Sequence, residues 1–246
     1  MKISRITICF TLLTTYACAN MLIVGHRGAC GYEAENTLKS FQRAIDMGVS
    51  MIELDVYVCK TGELVIMHDD DVDRTTNGNG HVVDMTFDQL RALKIDGTEQ
   101  IPTLQEVIDL VGRKIPINIE LKGPGTAKPV AALVKKYLAA GWKTGDFVIS
   151  SFDHKQVAEF KLLHPTVKTG ALFEPWDTSP KMIKAVEKCK ADFIGLDLKA
   201  VTSDLVKLAH DAGFTVLVWT VNDKASADKM RAFKVDGIFS NYPDRV

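Results

Sequence analysis

The sequence has almost no net charge, since 30 lysines and arginines stand against 31 aspartates and glutamates and the formal charge is −1. Proteins that bind nucleic acid or acidic membranes through their overall charge carry a clear basic excess. The composition therefore offers no such footprint, and we expect no nucleic-acid partner. An anionic ligand would need positive charge placed locally at its site.

Glycine-rich phosphate-binding loops are also missing. No Gly-x-Gly-x-x-Gly follows the first apolar run of the fold, and the sequence contains neither Gly-Lys-Ser nor Gly-Lys-Thr. These fingerprints often mark open doubly wound sheets. Their absence counts against that architecture, which is the alternative to the closed barrel described below.

No apolar run near the N-terminus is long enough to span a bilayer. Residues 6–13 are largely apolar, follow Lys2 and Arg5, and precede the small residues 17–19. This order is typical of a secretory signal peptide cleaved after Ala19. We therefore predict a periplasmic or secreted protein with no stable membrane insertion.

Two observations leave a second N-terminus open. Met21 directly precedes the first strand, and a start there would leave the protein in the cytoplasm. Cleavage after Ala19 would leave the cysteines at positions 30, 59 and 189. Three cysteines cannot all pair internally, so no disulfide framework indicates an oxidising compartment.

Eight short apolar runs alternate with segments that can be helical. The runs are Leu22–Val24, Met51–Val58, Ile115–Leu121, Phe147–Ser150, Thr169–Phe173, Phe193–Leu196, Thr215–Trp219 and Gly237–Phe239. Strands alternating with helices indicate a parallel sheet, and eight of them in about 250 residues predict a TIM (β/α)₈ barrel of the α/β class. We expect residues 20–246 to form one domain, with a small insertion after the second strand at about residues 70–100.

Polar residues cluster where the early strands end. They are His26, Arg27, Glu53, Asp55, His68, Glu120 and Lys122. In a barrel all of them would face one mouth. The spacing of Glu53 and Asp55 puts both carboxylates on one face of a strand, where an unpaired charge would be costly.

These residue types predict a metal-assisted reaction on a phosphate. Glu53, Asp55 and Glu120 offer only oxygen ligands, as Mg²⁺ or Ca²⁺ prefers. Two histidines beside them can serve as general acid and general base near neutral pH. An arginine and a lysine supply the local positive charge that a phosphate needs.

Other candidate residues have simpler interpretations. Asp69, Asp70 and Asp71 are interpreted as a solvated loop rather than as further ligands, and the remaining histidines as structural or surface residues. Trp219 ends the seventh run and is interpreted either as core or as a wall of the mouth.

Ordered motifs cover nearly the whole chain after residue 20. They are His26-Arg27-Gly28, Glu35-Asn36-Thr37, Glu53-Leu54-Asp55-Val56, His68-Asp69, Pro102-Thr103-Leu104-x-Glu106, Glu120-Leu121-Lys122, Trp219-Thr220-Val221-Asn222 and the closing segment 236–243. In this order and spacing they resemble the glycerophosphodiester phosphodiesterase family, whose fold is a TIM barrel with a small insertion after the second strand. The closing segment carries Ser240-Asn241 where an acidic residue often precedes Tyr-Pro, a departure expected to affect barrel closure more than catalysis.

The resemblance implies hydrolysis of glycerophosphodiesters, such as glycerophosphocholine or glycerophosphoethanolamine, to glycerol 3-phosphate and an alcohol. It implies metal ligation by Glu53, Asp55 and Glu120, with His26 and His68 as the acid and base in an order left open. Arg27 and Lys122 would hold the phosphate. The preferred alcohol, the choice between Mg²⁺ and Ca²⁺ and the oligomeric state are left open.

Two rival functions are compatible with the same residues. A phospholipase C- or D-like barrel that cleaves a lipid phosphodiester also uses paired histidines, but it should present an apolar rim to the bilayer. A non-catalytic binding protein could keep the barrel without turnover. Every expected catalytic position holds a competent residue, which favours the small-molecule enzyme.

Overall fold

The eight apolar runs form the strands of a parallel β-barrel. The computed structural model describes residues 21–179 and 181–246, so the predicted signal peptide at residues 1–19 lies outside the described residues. The strands are β1 (Leu22–Gly25), β2 (Met51–Val58), β3 (Leu64–Ile66), β4 (Ile117–Leu121), β5 (Phe147–Ser151), β6 (Lys168–Phe173), β7 (Phe193–Asp197), β8 (Thr215–Trp219) and β9 (Gly237–Ser240). All except β3 belong to the parallel ring.

The ring closes because β1 pairs in parallel with both β2 and β9. Val24 lies opposite Met51 on one side and opposite Phe239 on the other. Around the ring the order is β1, β2, β4, β5, β6, β7, β8 and β9. A closed ring has no unpaired edge, so the predicted TIM barrel is confirmed and the open doubly wound sheet is excluded.

Helices occupy the connections between the strands. They are α1 (Leu38–Asp46), α2 (Phe87–Ala92), α3 (Leu104–Val111), α4 (Ala127–Ala139), α5 (His154–Leu163), α6 (Met182–Cys189), α7 (Ser203–Asp211) and α8 (Lys224–Ala232). The Thr37 side chain accepts a hydrogen bond from the Ser40 amide and caps the start of α1. Thr103 and Glu106 form a reciprocal capping box at the start of α3. Such caps satisfy amides that have no partner within the helix.

The connection from β2 to β4 contains the predicted insertion. Here β3 pairs antiparallel with the end of β2, so that Val56 lies opposite Ile66. The amide of Met67 then donates to the Asp55 carbonyl over 3.0 Å. By folding back, β3 returns the chain to the barrel mouth, which places His68 beside the carboxylates of β2.

Apolar side chains fill the barrel interior beneath the mouth. Val24, Met51, Phe193, Leu217 and Phe239 pack together and are each at most 6% exposed. Because side chains of a strand alternate between its two faces, residues two or four positions further along the same strands point to the same interior. The polar residues at the strand ends therefore lie directly above a layer of buried, closely packed apolar side chains.

Within the described residues, no helix combines the length and the apolar character needed to cross a bilayer.

Candidate active site

Three carboxylates from two neighbouring strands converge at the mouth of the barrel. Asp55 of β2 and Glu120 of β4 lie directly opposite each other in the parallel register. Glu53 lies two residues before Asp55 on the same face, and both are at most 2% exposed. Ligand oxygens of the three residues all lie within 4.8 Å of one another.

Burial and mutual repulsion perturb the titration of this cluster. Burial, followed by the charges of Asp55 and Glu120, raises the pKa of Glu53 well above its ordinary value. Burial and the charge of Asp55 raise the pKa of Glu120 to about 7. Oε1 of Glu53 is buried and has no hydrogen-bond partner within residues 21–179 and 181–246. An all-oxygen donor set with surplus negative charge fits a hard divalent cation.

Arg27 joins the strand end of β1 to the carboxylates. Its amide donates to Oε2 of Glu53 over 2.8 Å, and its guanidinium donates to Glu35 over 2.9 Å. Its Nε lies 3.6 Å from Oδ2 of Asp55. Its backbone adopts φ 52°, and Gly28 follows at φ 85° against the backbone of Ser40. The sharp turn aims both the amide and the side chain of Arg27 into the mouth.

Lys122 is the second cation of the mouth. Its Nζ lies 3.1 Å from Glu120, 3.9 Å from Asp55 and 3.3 Å from Nε2 of His68. Arg27 and Lys122 both line the cavity described below. The structure therefore brings the two predicted phosphate ligands to the carboxylates, whose charge they partly balance.

His68 is held by a chain of charged residues. Its Nδ1 lies 2.6 Å from Oδ1 of Asp69, and Arg74 donates to Oδ2 of Asp69 over 2.5 Å. Arg74 also binds Glu35 with contacts of 2.7 and 2.8 Å. The interpretation of Asp69 as part of a solvated loop is wrong, because its carboxylate is committed to His68 and Arg74. Its position directly after the histidine was the available signal.

The Nδ1 atom of His26, like that of His68, has a side-chain partner, but this partner is neutral. Nδ1 of His26 lies 2.6 Å from the side-chain Oδ1 of Asn241. The backbone N–H of Asn241 in turn donates to Oδ1 of Asn222 over 2.8 Å. Burial, followed by the charge of Arg27, lowers the pKa of His26 to about 4. Asn241 thus contacts a predicted catalytic residue directly, which corrects the expectation that the departure in the closing segment affects barrel closure more than catalysis.

All the predicted site residues except the buried Asp55 line one cavity of about 530 Å³. Sequence reasoning missed the other residues that line it, which are Asn118, Ser150, Phe152, Leu172, Glu174, Thr220 and Phe239. Six of the seven follow the two-residue alternation of β4, β5, β6 and β9, so counting by two along these strands would have found them. Trp219 lines the cavity and packs edge-to-face on Phe152 at 5.5 Å between ring centres. It therefore forms a wall of the mouth.

The other histidines bind structural partners, as predicted. Nε2 of His154 lies 2.9 Å from the Leu172 carbonyl, and Nε2 of His164 lies 2.9 Å from the Ala131 carbonyl. Neither lines the catalytic cavity. The first contact holds α5 against β6 of the barrel, and the second joins the end of α5 to α4.

Known proteins are similar to this chain in sequence and in fold. A model of the glycerophosphoryl diester phosphodiesterase family matches residues 26–245. A glycerophosphodiester phosphodiesterase from Caldanaerobacter subterraneus is 34% identical over 244 residues, covering 92% of this chain and 96% of the relative.

Two solved structures superpose on most of the barrel. A phosphodiesterase from Oleispira antarctica, in complex with its product sn-glycerol-3-phosphate, gives a TM-score of 0.82 at 28% identity, covering 90% of this chain and 93% of its own. A glycerophosphodiester phosphodiesterase from Thermotoga maritima gives 0.79 at 30% identity, with coverage of 92% and 96%. On the match of the family model and these relatives, the chain belongs to the glycerophosphoryl diester phosphodiesterase family.

Proposed function

We propose that this protein hydrolyses glycerophosphodiesters to glycerol 3-phosphate and an alcohol. The observation that carries the proposal is one cavity lined by two histidines, two cations, Glu53 and Glu120, with the buried Asp55 completing the acidic cluster beside it. Acid, base, phosphate ligands and metal ligands are thus within reach of one small substrate. The product held by the Oleispira phosphodiesterase supports the same reaction for this chain.

The two cations bind the phosphate of the substrate. Arg27 can form paired hydrogen bonds with two phosphoryl oxygens, and Lys122 adds a compact charge beside it. Glu53, Asp55 and Glu120 would hold a divalent cation, Mg²⁺ or Ca²⁺. When bound, such a cation supplies Lewis-acid stabilisation of the negative charge on the phosphoryl group.

His26 serves as the general base. Its Nδ1 is occupied by the amide oxygen of Asn241, which requires a proton on Nδ1 and leaves Nε2 with a lone pair. With its pKa lowered to about 4, it is neutral at pH 7 and able to accept a proton. It takes that proton from the attacking hydroxyl, which is either a water, giving glycerol 3-phosphate directly, or the glycerol 2-hydroxyl of the substrate. In the second case the alcohol leaves with formation of a cyclic glycerol phosphate, and a water then opens this ring to give glycerol 3-phosphate.

His68 serves as the general acid. The net effect lowers its pKa, because burial and the charges of Arg27 and Lys122 outweigh the opposing effects of Asp55 and Asp69. The carboxylate of Asp69 binds Nδ1 and stabilises the imidazolium form, in which Nε2 carries the proton to be donated. His68 gives this proton to the oxygen of the leaving alcohol. The roles of the two histidines thus follow from one charged partner and one neutral partner.

A coupled assay for glycerol 3-phosphate, run over a panel of diesters, tests the proposal. We expect turnover of glycerophosphodiesters, loss after chelation and recovery on adding Mg²⁺ or Ca²⁺, with the better ion identifying the native metal. Glu53→Gln should abolish recovery, and Glu159→Gln, on the exposed face of α5, is the matched control. Cleavage of intact phospholipid at a matching rate would favour the lipid-cleaving alternative, and absence of turnover the binding-protein alternative.

We propose that residues 1–19 direct export and that the mature enzyme begins at Asn20. The basic, apolar and small-residue order of this segment supports the proposal. N-terminal sequencing of protein from fractionated cells should find Asn20 in the periplasm or medium. A cytoplasmic protein beginning at Met21 would contradict it.

A further inference from the structure

The side of the cavity opposite the catalytic histidines carries a carboxylate that the proposed reaction does not use. Glu174 follows β6, and β6 lies across the eight-stranded ring from β1, which leads to His26 and Arg27. Glu174 lines the same cavity as those residues. Apart from Glu53 and Glu120 of the acidic cluster, it is the one acidic residue lining the cavity among the residues described.

The Glu174 carboxylate has no partner among the residues that the structure describes. Within residues 21–179 and 181–246 its side chain makes no hydrogen bond and no ion pair, although Lys181 lines an adjoining cavity. A partly buried carboxylate without a counter-charge is unfavourable near a bound phosphate, unless the ligand itself supplies a cation. This arrangement indicates that part of the substrate beyond the phosphate is positively charged.

Two aromatic rings line the same cavity as this carboxylate. Phe152 and Trp219 both line the cavity and pack edge-to-face at 5.5 Å. Phe152 also lies 5.8 Å from Nζ of Lys122, so it connects the phosphate-binding end of the cavity to the Glu174 end. Ring faces attract ammonium and trimethylammonium groups, and a carboxylate adds direct charge attraction.

The cleft has room for a head group beyond the phosphate. The catalytic cavity of about 530 Å³ shares Phe152, Leu172 and Glu174 with a neighbouring cavity of about 460 Å³. The three shared residues show that the two cavities adjoin. A diester whose phosphate lies between Arg27 and Lys122 can therefore extend one ester group past Glu174.

We propose that Glu174, Phe152 and Trp219 form a subsite for a positively charged head group. The enzyme then prefers glycerophosphodiesters of amino alcohols, with an ammonium or trimethylammonium group, over those of neutral alcohols. This inference rests on the proposed function and adds the class of alcohol that the site selects. Glu174 acts here as a specificity residue and takes no part in proton transfer.

Steady-state kinetics on paired substrates test the proposal. The wild-type enzyme should use glycerophosphocholine and glycerophosphoethanolamine in preference to glycerophosphoglycerol, whose alcohol is neutral. In Glu174→Gln, kcat/KM for the two cationic substrates should fall about 5- to 10-fold, mainly through KM, while glycerophosphoglycerol changes less than about 2-fold. Free choline should inhibit the wild type competitively and inhibit Glu174→Gln more weakly.

Asp177→Asn is the matched control. Asp177 is exposed and lines only the neighbouring cavity, so removing its charge should change the preference by less than about 2-fold. An equal loss on neutral and cationic substrates in Glu174→Gln, an equal effect of Asp177→Asn, or no preference in the wild type would each overturn the subsite. Failure to hydrolyse any diester would instead overturn the proposed function. Thermal unfolding of each variant checks that the fold is intact.

Discussion

The amide oxygen of Asn241 lies 2.6 Å from Nδ1 of His26, although 215 positions separate the two residues in the chain. The corresponding nitrogen of His68 has the carboxylate of Asp69 at the same distance. The two imidazoles of the cavity are thus held in the same way by partners of different charge. This difference is the basis of the proposed assignment of His26 as base and His68 as acid.

Replacing Asn241 by aspartate should shift the pH dependence of the enzyme. A carboxylate beside Nδ1 stabilises the imidazolium, so the pKa of His26 rises from about 4 toward neutrality. Because a general base must be neutral, the acid limb of the profile of kcat/KM against pH should move to higher pH in Asn241→Asp. The measurement is that profile with glycerophosphocholine, and an unmoved acid limb would contradict the assignment of His26 as base.

Asn241→Leu separates orientation from charge. This variant keeps the approximate size but removes the acceptor that fixes the ring of His26, so kcat should fall roughly 10- to 100-fold. The position of the acid limb should not rise as it does in Asn241→Asp. Wild-type kcat in Asn241→Leu would show that the contact does not orient the base.

The leaving group distinguishes the acid from the base. His26→Ala and His68→Ala should each lose at least ~10²-fold in turnover of glycerophosphocholine. A glycerophosphodiester of p-nitrophenol needs little protonation of its leaving oxygen. His68→Ala should therefore recover most of its loss on this substrate, whereas His26→Ala should not. If His26→Ala and not His68→Ala recovers turnover on this substrate, His26 is the acid and His68 the base.

Neutralising Glu120 should stabilise the metal-free protein. Its folded-state pKa of about 7 lies above the ordinary value of 4.5, so the folded protein takes up a proton as the pH falls through that window. Its ionisation therefore destabilises the folded state above pH 7 and ceases to do so below about pH 4.5. In chelator, the melting temperature of Glu120→Gln should exceed that of wild type by a few degrees at pH 8, and the difference should vanish toward pH 4.5.

Adding a divalent cation should make the wild type melt at a higher temperature than Glu120→Gln, the reverse of the order in chelator. Mg²⁺ or Ca²⁺ should raise the melting temperature of the wild type, because it binds the folded carboxylate cluster, and should do so much less in Glu120→Gln. Glu33→Gln, outside the cluster, should behave as wild type. A wild-type melting temperature that is the same with chelator and with added metal would contradict a cation site at these residues.

Replacement of Gly28 by alanine should destabilise the protein more than the same replacement at Gly48, although both glycines have a positive φ. A Cβ at Gly28 would lie 2.5 Å from the carbonyl carbon of Ser40, in addition to the strain of φ 85°. Gly48 has φ 75° but nothing within 4 Å of an added Cβ. We expect Gly28→Ala to lower the free energy of unfolding by about 2 kcal/mol or more and Gly48→Ala by about 1 kcal/mol, measured by urea titration. Equal losses would contradict the close packing of the turn on α1.

The sequence predicts the strands and the convergence of polar residues at one mouth, because both depend on local pattern. Buried parallel strands appear as short apolar runs, and their carboxyl ends meet at one mouth, so His26, Glu53 and Glu120 could be grouped without a structure. The partners of the histidines could not be assigned in this way. The pairing of Asn241 with His26 depends on the register in which β9 closes on β1, which no local pattern specifies.

The residues of the far wall were missed for a different reason. Phe152 and Glu174 lie beyond the ends of β5 and β6, where the apolar pattern has stopped. They still follow the alternation that begins with Ser150 and Leu172 on the interior faces of those strands. The signal was therefore present, but it becomes useful only when the strand ends and their inward faces are known.

The most direct test of the central claim is ³¹P NMR of glycerophosphocholine incubated with the wild-type enzyme and a divalent cation, with His26→Ala as the control. The account predicts that the diester resonance is replaced by that of glycerol 3-phosphate, and that the variant slows the conversion at least ~10²-fold. Appearance of phosphocholine in its place, or a diester resonance that persists with the wild-type enzyme, would contradict it.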